Sequence, residues 1–162
     1  MARISEQAAG GRNVLAFLDM LAYSEGTDNG RQPTKDEGYD VLVGGQLFSD
    51  YSKHPNKLVR LNASLSSTGA GRYQILARFW KVYQQRLRLP DFGPISQDLY
   101  AINQLKEQGA YGRIQAGEFE KAVLRVKNIW ASLPGAGYGQ HEQKMDVLRD
   151  VYLRAGGTIA GA

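Results

Sequence analysis

At 162 residues, with hydrophobic side chains at 43% and charged ones at 22%, the chain has the size and make-up of one domain that buries its own core; the lack of any cysteine rules out disulfides, a thiolate zinc site and a cysteine nucleophile. Twenty Lys and Arg against 16 Asp and Glu leave a net charge of +4, which favours a polyanionic partner such as nucleic acid, anionic lipid or the carboxylate-rich bacterial wall. No run of five basic residues marks a nucleic-acid arm, and no 18 apolar residues run together, so neither nucleic-acid binding nor membrane insertion is expected.

The start, Met1 to Asn13, holds polar residues and glycines and lacks the apolar stretch of a secretory signal. Residues 1–12 read as a loosely ordered extension of a single domain spanning 1–162, a product expected to stay in the cytoplasm unless something else releases it. From Val14 to Glu25, the apolar residues Val14, Leu15, Phe17, Leu18, Leu21 and Ala22 recur at three- and four-residue steps. This spacing predicts an amphipathic helix, with Asn13 as N-cap and Gly26 as its stop. Glu25 falls four residues after Leu21 and seven after Leu18, on the buried face at the last turn. A carboxylate is disfavoured there twice, by the negative end of the helix dipole and by lost hydration. Either the placement serves a purpose, or the side chain bends to solvent or pairs with a Lys or Arg; spacing alone leaves both open.

Thr27 to Gly30 has turn chemistry, and Tyr39–Val43 and Gln46–Phe48 flank Gly44-Gly45, a two-residue hairpin signal. Asp50 to Asn62 reads as a surface loop with a short extended piece at Leu58–Leu61. A second helix is predicted from Gly71, with Ile75, Leu76, Phe79, Trp80, Tyr83 and Leu87 at helical spacing and its large aromatics in the core, ending before Pro90. Two more are predicted, over Ser96–Gln108 with Leu99, Ile102 and Leu105 inside and over Glu118–Trp130 with Phe119, Val123 and Val126 inside. After the glycine-rich loop Leu133–Gly139 comes a last helix carrying Met145, Leu148, Val151 and Tyr152. Helices around one small hairpin make an α+β layout.

Zinc hydrolysis needs two or three closely spaced ligands, but the only histidines are His54 and His141, without H-E-x-x-H spacing. A zinc site is not expected, and both histidines read as solvated surface residues. No G-x-S-x-G nucleophile elbow occurs, and the glycines at Gly69, Gly71, Gly135, Gly137 and Gly139 match no phosphate-binding string. What remains is a carboxylate at a helix end, a hairpin after it, and a polar string opening another helix.

Those segments carry long recognisable strings: FLDMLAYSEGTDNG at residues 17–30, GYDV at 38–41, STGAGRYQ at 67–74 and NIWASLPGAGYGQ at 128–140. Together they resemble the lambda-type phage endolysins over about residues 13–158; residues 1–12 and the stretch from Ala110 to Lys121 depart from the pattern. The resemblance implies a lysozyme-like fold: α+β, mainly helical, with a small antiparallel β-hairpin lobe and a substrate cleft whose mobile lips lie near Lys57–Ser66 and Leu133–Gln143. It implies a lytic transglycosylase that cuts the β-1,4 bond between N-acetylmuramic acid and N-acetylglucosamine and leaves 1,6-anhydro ends, with Glu25 as both acid and base. A hydrolytic lysozyme using water on the same bond is the alternative, and a non-catalytic wall-binding module is a third reading against which the retained Glu25 argues. Gln74 and Tyr138 are the family-matched candidates for sugar contact, and Ser67, Thr68 and Arg72 for the cleft floor and its hydrogen bonds. Asp40 is the acid to watch, since at glycosidase distance from Glu25 it would favour hydrolysis. No metal or cofactor is implied. The expected partner is the peptidoglycan glycan strand, met by a monomer held in the host cytoplasm until a holin lets it reach the periplasm.

Overall fold

The computed structural model describes residues 1–137 and 141–161. Its centre is helix α2 (Arg12–Ser24), in which Val14, Leu15, Ala16, Phe17, Leu18, Met20, Leu21 and Ala22 are all buried. A helix apolar nearly all round must be covered on every side. Four helices do this: α1 (Glu6–Ala9), α4 (Pro94–Glu107), α5 (Tyr111–Gln115) and α7 (Met145–Arg154), with α6 (Phe119–Val126) packed on α5 and α7. Phe17 meets Phe119 edge-on at 5.9 Å, and Phe119 lies 4.5 Å from Tyr152, so one aromatic chain ties α2 to the C-terminal helices. A second cluster forms where Phe92 meets Trp80 of α3 (Ala77–Leu87) at 4.8 Å and Trp80 leans on Tyr100 of α4 at 5.9 Å.

The first twelve residues are not a loose extension. Ala2 and Ile4 are buried, and the backbone donors here have carboxylate acceptors: Ala2 N donates to Asp19 Oδ1 at 2.8 Å, and Arg3 N and Ile4 N each donate to Asp98 Oδ2 at 2.9 Å. Nothing local in the sequence signals this, because both acceptors come from other helices. Asn13 is not the N-cap of α2 either. Gly11 is, and Asn13 bridges outward, donating to Ile114 O at 3.1 Å and accepting from Thr158 N at 2.9 Å.

The expected Gly44-Gly45 turn is present, with positive φ at both glycines (87° and 98°), as a tight hairpin turn of this kind requires. Its strands reduce to a single bridge between Val41 and Leu47. The hairpin bonds run from Leu42 N to Gln46 O at 2.7 Å and from Phe48 N to Asp40 O at 2.9 Å, and on the opposite edge of the same segment Val43 N donates to Gly69 O and Gly71 N to Val41 O, both at 2.9 Å, so residues 40–43 are held by a short bridge on each side. The regular antiparallel pair is β1 (Val59–Asn62) with β2 (Leu65–Ser67), registering Val59 with Ser67 and Arg60 with Ser66. It lies in the segment read from sequence as a loop and lip. Its turn is held by Asn62, whose Oδ1 accepts from Ser64 N at 2.9 Å.

Helix α3 begins at Ala77 and not near Gly71. Gly71 and Gln74 both have positive φ (79° and 52°), and Ala70 and Ile75 exchange backbone hydrogen bonds of 3.1 and 2.8 Å, so the chain turns tightly before helix can start. Ile75 keeps its apolar spacing by being buried in that turn. Phe79 (44% exposed) and Leu99 (39%) face outward, against expectation. Helix α6 stops at Val126, four residues before the predicted end at Trp130, and α5 was not anticipated. Nor is His54 solvated. It is buried and meets Phe92 edge-on with ring centroids 4.7 Å apart, Nε2 lies 2.7 Å from Ile75 O, and Nδ1 accepts from Asn56 N at 2.9 Å. That pairing needs the neutral ring with its proton on Nε2, and burial holds its pKa below the usual histidine range. His141 is exposed.

Candidate active site

Helix α2 ends where the carbonyls of Leu21 and Tyr23 accept from Glu25 N and Gly26 N, and Gly26 at φ 77° turns the chain. Thr27 then locks the turn, its hydroxyl donating to Ala22 O at 3.2 Å and Arg72 O at 2.7 Å. A Cβ on Gly38 would fall 2.9 Å from that same hydroxyl, so only glycine lets the 27–38 loop close against it. The Glu25 side chain therefore leaves the helix end in one fixed direction, into a cleft of about 820 Å³. Leu58, Leu61, Leu65, Ser66, Ser67 and Thr68 form one wall. Gln74, Leu76 and the start of α3 form the other, and Ile129, Ala131 and Ser132 close the floor beside Glu25.

Glu25 is partly buried. Ser132 Oγ donates to its Oε2 at 2.5 Å, and Ser24 Oγ lies 2.7 Å from Ser132 Oγ. Because Ser132 gives its only proton to the carboxylate, Ser24 must be the donor of the second bond. The relay fixes Oε2 and leaves Oε1 without a protein partner among the described residues. Burial raises the carboxyl pKa from its ordinary value to about 7, opposed by the Ser132 hydrogen bond, because lost hydration penalises the ion while a donor favours it. Ser132→Ala is thus expected to raise the Glu25 pKa further and to carry the alkaline limb of kcat/KM upward by about one pH unit, the equivalent of one hydrogen bond. A pH–rate profile checks this, and an unmoved limb would show that the relay does not tune the acid.

The other expected site residues divide. Ser67, Thr68 and Gln74 line the cleft with Glu25, though each also has a local duty. Ser67 Oγ accepts from Gly69 N at 3.0 Å, Thr68 Oγ1 caps α3 by accepting from Ala77 N at 3.0 Å, and Gln74 Nε2 donates to Val41 O and Gly71 O at 3.1 and 2.9 Å. Tyr138 lies outside the described residues. Asp40 and Arg72 do not line the cleft. Asp40 is buried and closes the 34–40 loop, accepting from Thr34 Oγ1 at 2.5 Å and Lys35 N at 3.0 Å.

Arg72, 1% exposed, pairs with Asp19 at 2.9 Å and Asp28 at 3.4 Å, and its Nη1 donates to the Tyr73 hydroxyl at 3.1 Å. Tyr73 and Tyr39 in turn donate to Asp98 Oδ1 at 2.6 and 2.7 Å. This network under the site, and the Ser24–Ser132 pair beside Glu25, were not anticipated. Ser132 stood within the NIWASLPGAGYGQ string, and Asp98 stood as a charge four residues before the apolar Ile102; those were the available signals.

Among the described residues Glu25 is the sole carboxylate lining the cleft, and no group of three or more His, Cys, Asp or Glu side chains stands ready to hold a metal ion. Also among them, no helix is long and apolar enough to cross a membrane.

A protonatable acid at the bottom of an open groove, with a helical body on one side and a small hairpin on the other, defines a lysozyme-like protein. Bacteriophage lambda lysozyme complexed with a chitohexasaccharide has the same fold at a TM-score of 0.90 and 58% identity, covering 98% of this chain and 99% of that one. Residues 15–159 match the endolysin family. The chain is 61% identical to the endolysin of Escherichia phage lambda over 144 residues, 89% of this chain and 91% of the relative. It is 49% identical to that of Escherichia phage P2 over 159 residues, 92% and 96% of the two. The chain belongs to the endolysin family.

Proposed function

We propose that residues 1–162 work as one catalytic unit that cleaves the glycan strands of peptidoglycan, and that the cleavage is a lytic transglycosylation carried by Glu25 alone. The observation that supports it is a half-buried glutamic acid with a pKa of about 7 in a cleft lined, among the described residues, by no second carboxylate. Proton delivery to a glycosidic oxygen needs an acid still protonated near neutrality, whereas a free glutamate ionises around 4.3. Retaining and inverting hydrolases add a second carboxylate at about 5 Å or roughly 6.5–9.5 Å from the first, and Asp40, the acid to watch for that part, is occupied with its own loop.

In the proposed sequence, Glu25 protonates the oxygen joining N-acetylmuramic acid to N-acetylglucosamine as the bond from that oxygen to C1 breaks. The muramic N-acetyl group stabilises the cation at C1. The C6 hydroxyl of the same sugar then attacks C1, and Glu25 recovers a proton from it, so that one C–O bond is lost, one is formed and no water is consumed. Family membership supports this reading and, with it, the proposal that the protein stays in the host cytoplasm until a holin gives it access to the wall.

The second reading, hydrolysis of the same bond, differs in its product by one water. Mass spectrometry of digested murein is expected to show 1,6-anhydro ends from the first minutes of digestion. Reducing ends heavier by one water would overturn transglycosylation, and intact strands would overturn cleavage altogether.

A further inference from the structure

The two walls of the cleft differ in chemistry. The β1–β2 side offers aliphatic surface, with Leu58, Leu61 and Leu65 exposed at 68%, 41% and 37%. The α3 side offers charge: Arg78 and Lys81 line the same cleft, are exposed, and have no carboxylate within 4.0 Å among the described residues. Arg78 stacks over Phe79 at 4.8 Å, which leaves its N–H fork unused.

Their position is unfavourable for the isolated fold. They are the second and fifth residues of α3, and the first turn holds no acid, so both cations sit toward the positive end of the helix dipole, where anions and not cations are stabilised. Three residues apart on a helix, they share one face, and their charges add to the dipole field on that wall. A chain of N-acetylated sugars offers this wall no charge to meet. The peptide stems that branch from the muramic residues of murein do, because they carry free carboxylates.

We infer that Arg78 and Lys81 form a recognition strip for the carboxylates of the murein peptide stem. The glycan strand then lies with its apolar sugar faces on Leu58, Leu61 and Leu65 and its stems turned toward α3. This rests on the proposed action on peptidoglycan and adds to it a preference for stem-bearing strands and a fixed orientation of the strand in the cleft.

The test compares kcat/KM on purified murein sacculi with kcat/KM on the same strands stripped of stems by an amidase and with the lactyl carboxyls so freed capped as amides, at salt on the order of 0.01 M, where screening is weak and the Debye length is about 30 Å. Each exposed ion pair contributes up to about fivefold, so the wild type is expected to prefer stem-bearing strands by about tenfold, and the Arg78→Gln/Lys81→Gln double variant is expected to lose that preference. The charge-conserving Arg78→Lys/Lys81→Arg variant should restore most of it, and salt of about 1 M, with a Debye length of about 3 Å, should erase it in the wild type. A wild type without the preference, or a double variant that keeps it, overturns the strip. Failure of the proposed reaction would appear elsewhere, in the product masses from the wild type.

Discussion

Glu25→Gln is expected to fold, to lose on the order of 10²–10⁴ in turnover of murein, and to be more stable than the wild type above neutral pH. The amide keeps the shape and can still accept the Ser132 hydrogen bond, but it has no proton to give. The stability half follows from the same burial that makes the acid useful. The folded-state pKa is about 7 against an ordinary 4.5, so the folded protein holds this proton through a range where the unfolded chain has released it. Stability from this group is therefore greatest below about pH 4.5 and falls as pH climbs toward 7 and beyond. At about 1.4 kcal/mol per pKa unit, the ionised form costs up to about 3.5 kcal/mol. Glutamine avoids that cost. Urea unfolding midpoints of the two proteins should nearly coincide around pH 4.5 and separate by pH 8, with the variant ahead. Unreduced lysis by Glu25→Gln would end its catalytic assignment, and coincident midpoints at pH 8 would show that the carboxyl is better hydrated than its position indicates.

Asp98→Ala is expected to cost about 3–5 kcal/mol, a large part of the 5–15 kcal/mol that holds a domain of this kind together. Asp98 is fully buried and accepts four hydrogen bonds, from the Tyr39 and Tyr73 hydroxyls at Oδ1 and from Arg3 N and Ile4 N at Oδ2. Alanine leaves the Tyr39 and Tyr73 hydroxyls and Ile4 N without their acceptor, while Arg3 N keeps the Tyr39 hydroxyl at 3.0 Å, at about 1–3 kcal/mol for each group left unsatisfied, less whatever water can enter to repair. The loss reaches the site. Tyr73 also meets Arg72, Arg72 holds Asp19 of α2, and Ala2 N shares that carboxylate, so the helix that carries Glu25 is anchored through Asp98 to α4 and to the N-terminal segment. Asp98→Asn should recover only part of the loss, since whichever way the amide is turned its NH₂ faces one pair of donors. Equilibrium denaturation orders wild type, Asp98→Asn and Asp98→Ala in that sequence; a cost below about 1 kcal/mol for alanine would mean that the network is solvated.

Helix α2 and the acid at its end were legible in the sequence because helical periodicity is local. The apolar steps from Val14 to Ala22 fix which face is buried, and adding three or four residues places Glu25 on it. The family strings carried the rest of the site's outline, including the neighbourhood of Ser67, Thr68 and Gln74. Elements whose limits depend on distant partners were misplaced. The Gly44-Gly45 turn is local and present, but its arms form only one bridge, Val41 with Leu47, and carry a second on the other edge, Leu42 with Ala70, which no local pattern signals; α3 starts late because Ala70 and Ile75 pair first.

Polar residues were the hardest to place. Arg72 and Asp40 stand beside cleft residues in the chain yet point into the protein, while Ser132 reaches Glu25 across 107 positions. The direction of a polar side chain is decided by whichever partner satisfies it on burial, and that partner comes from anywhere in the chain. By itself the sequence determined that an acid would stand at the end of a greasy helix; only the tertiary structure decided that this end opens into a cleft, because a groove exists only where two separately folded segments fail to meet.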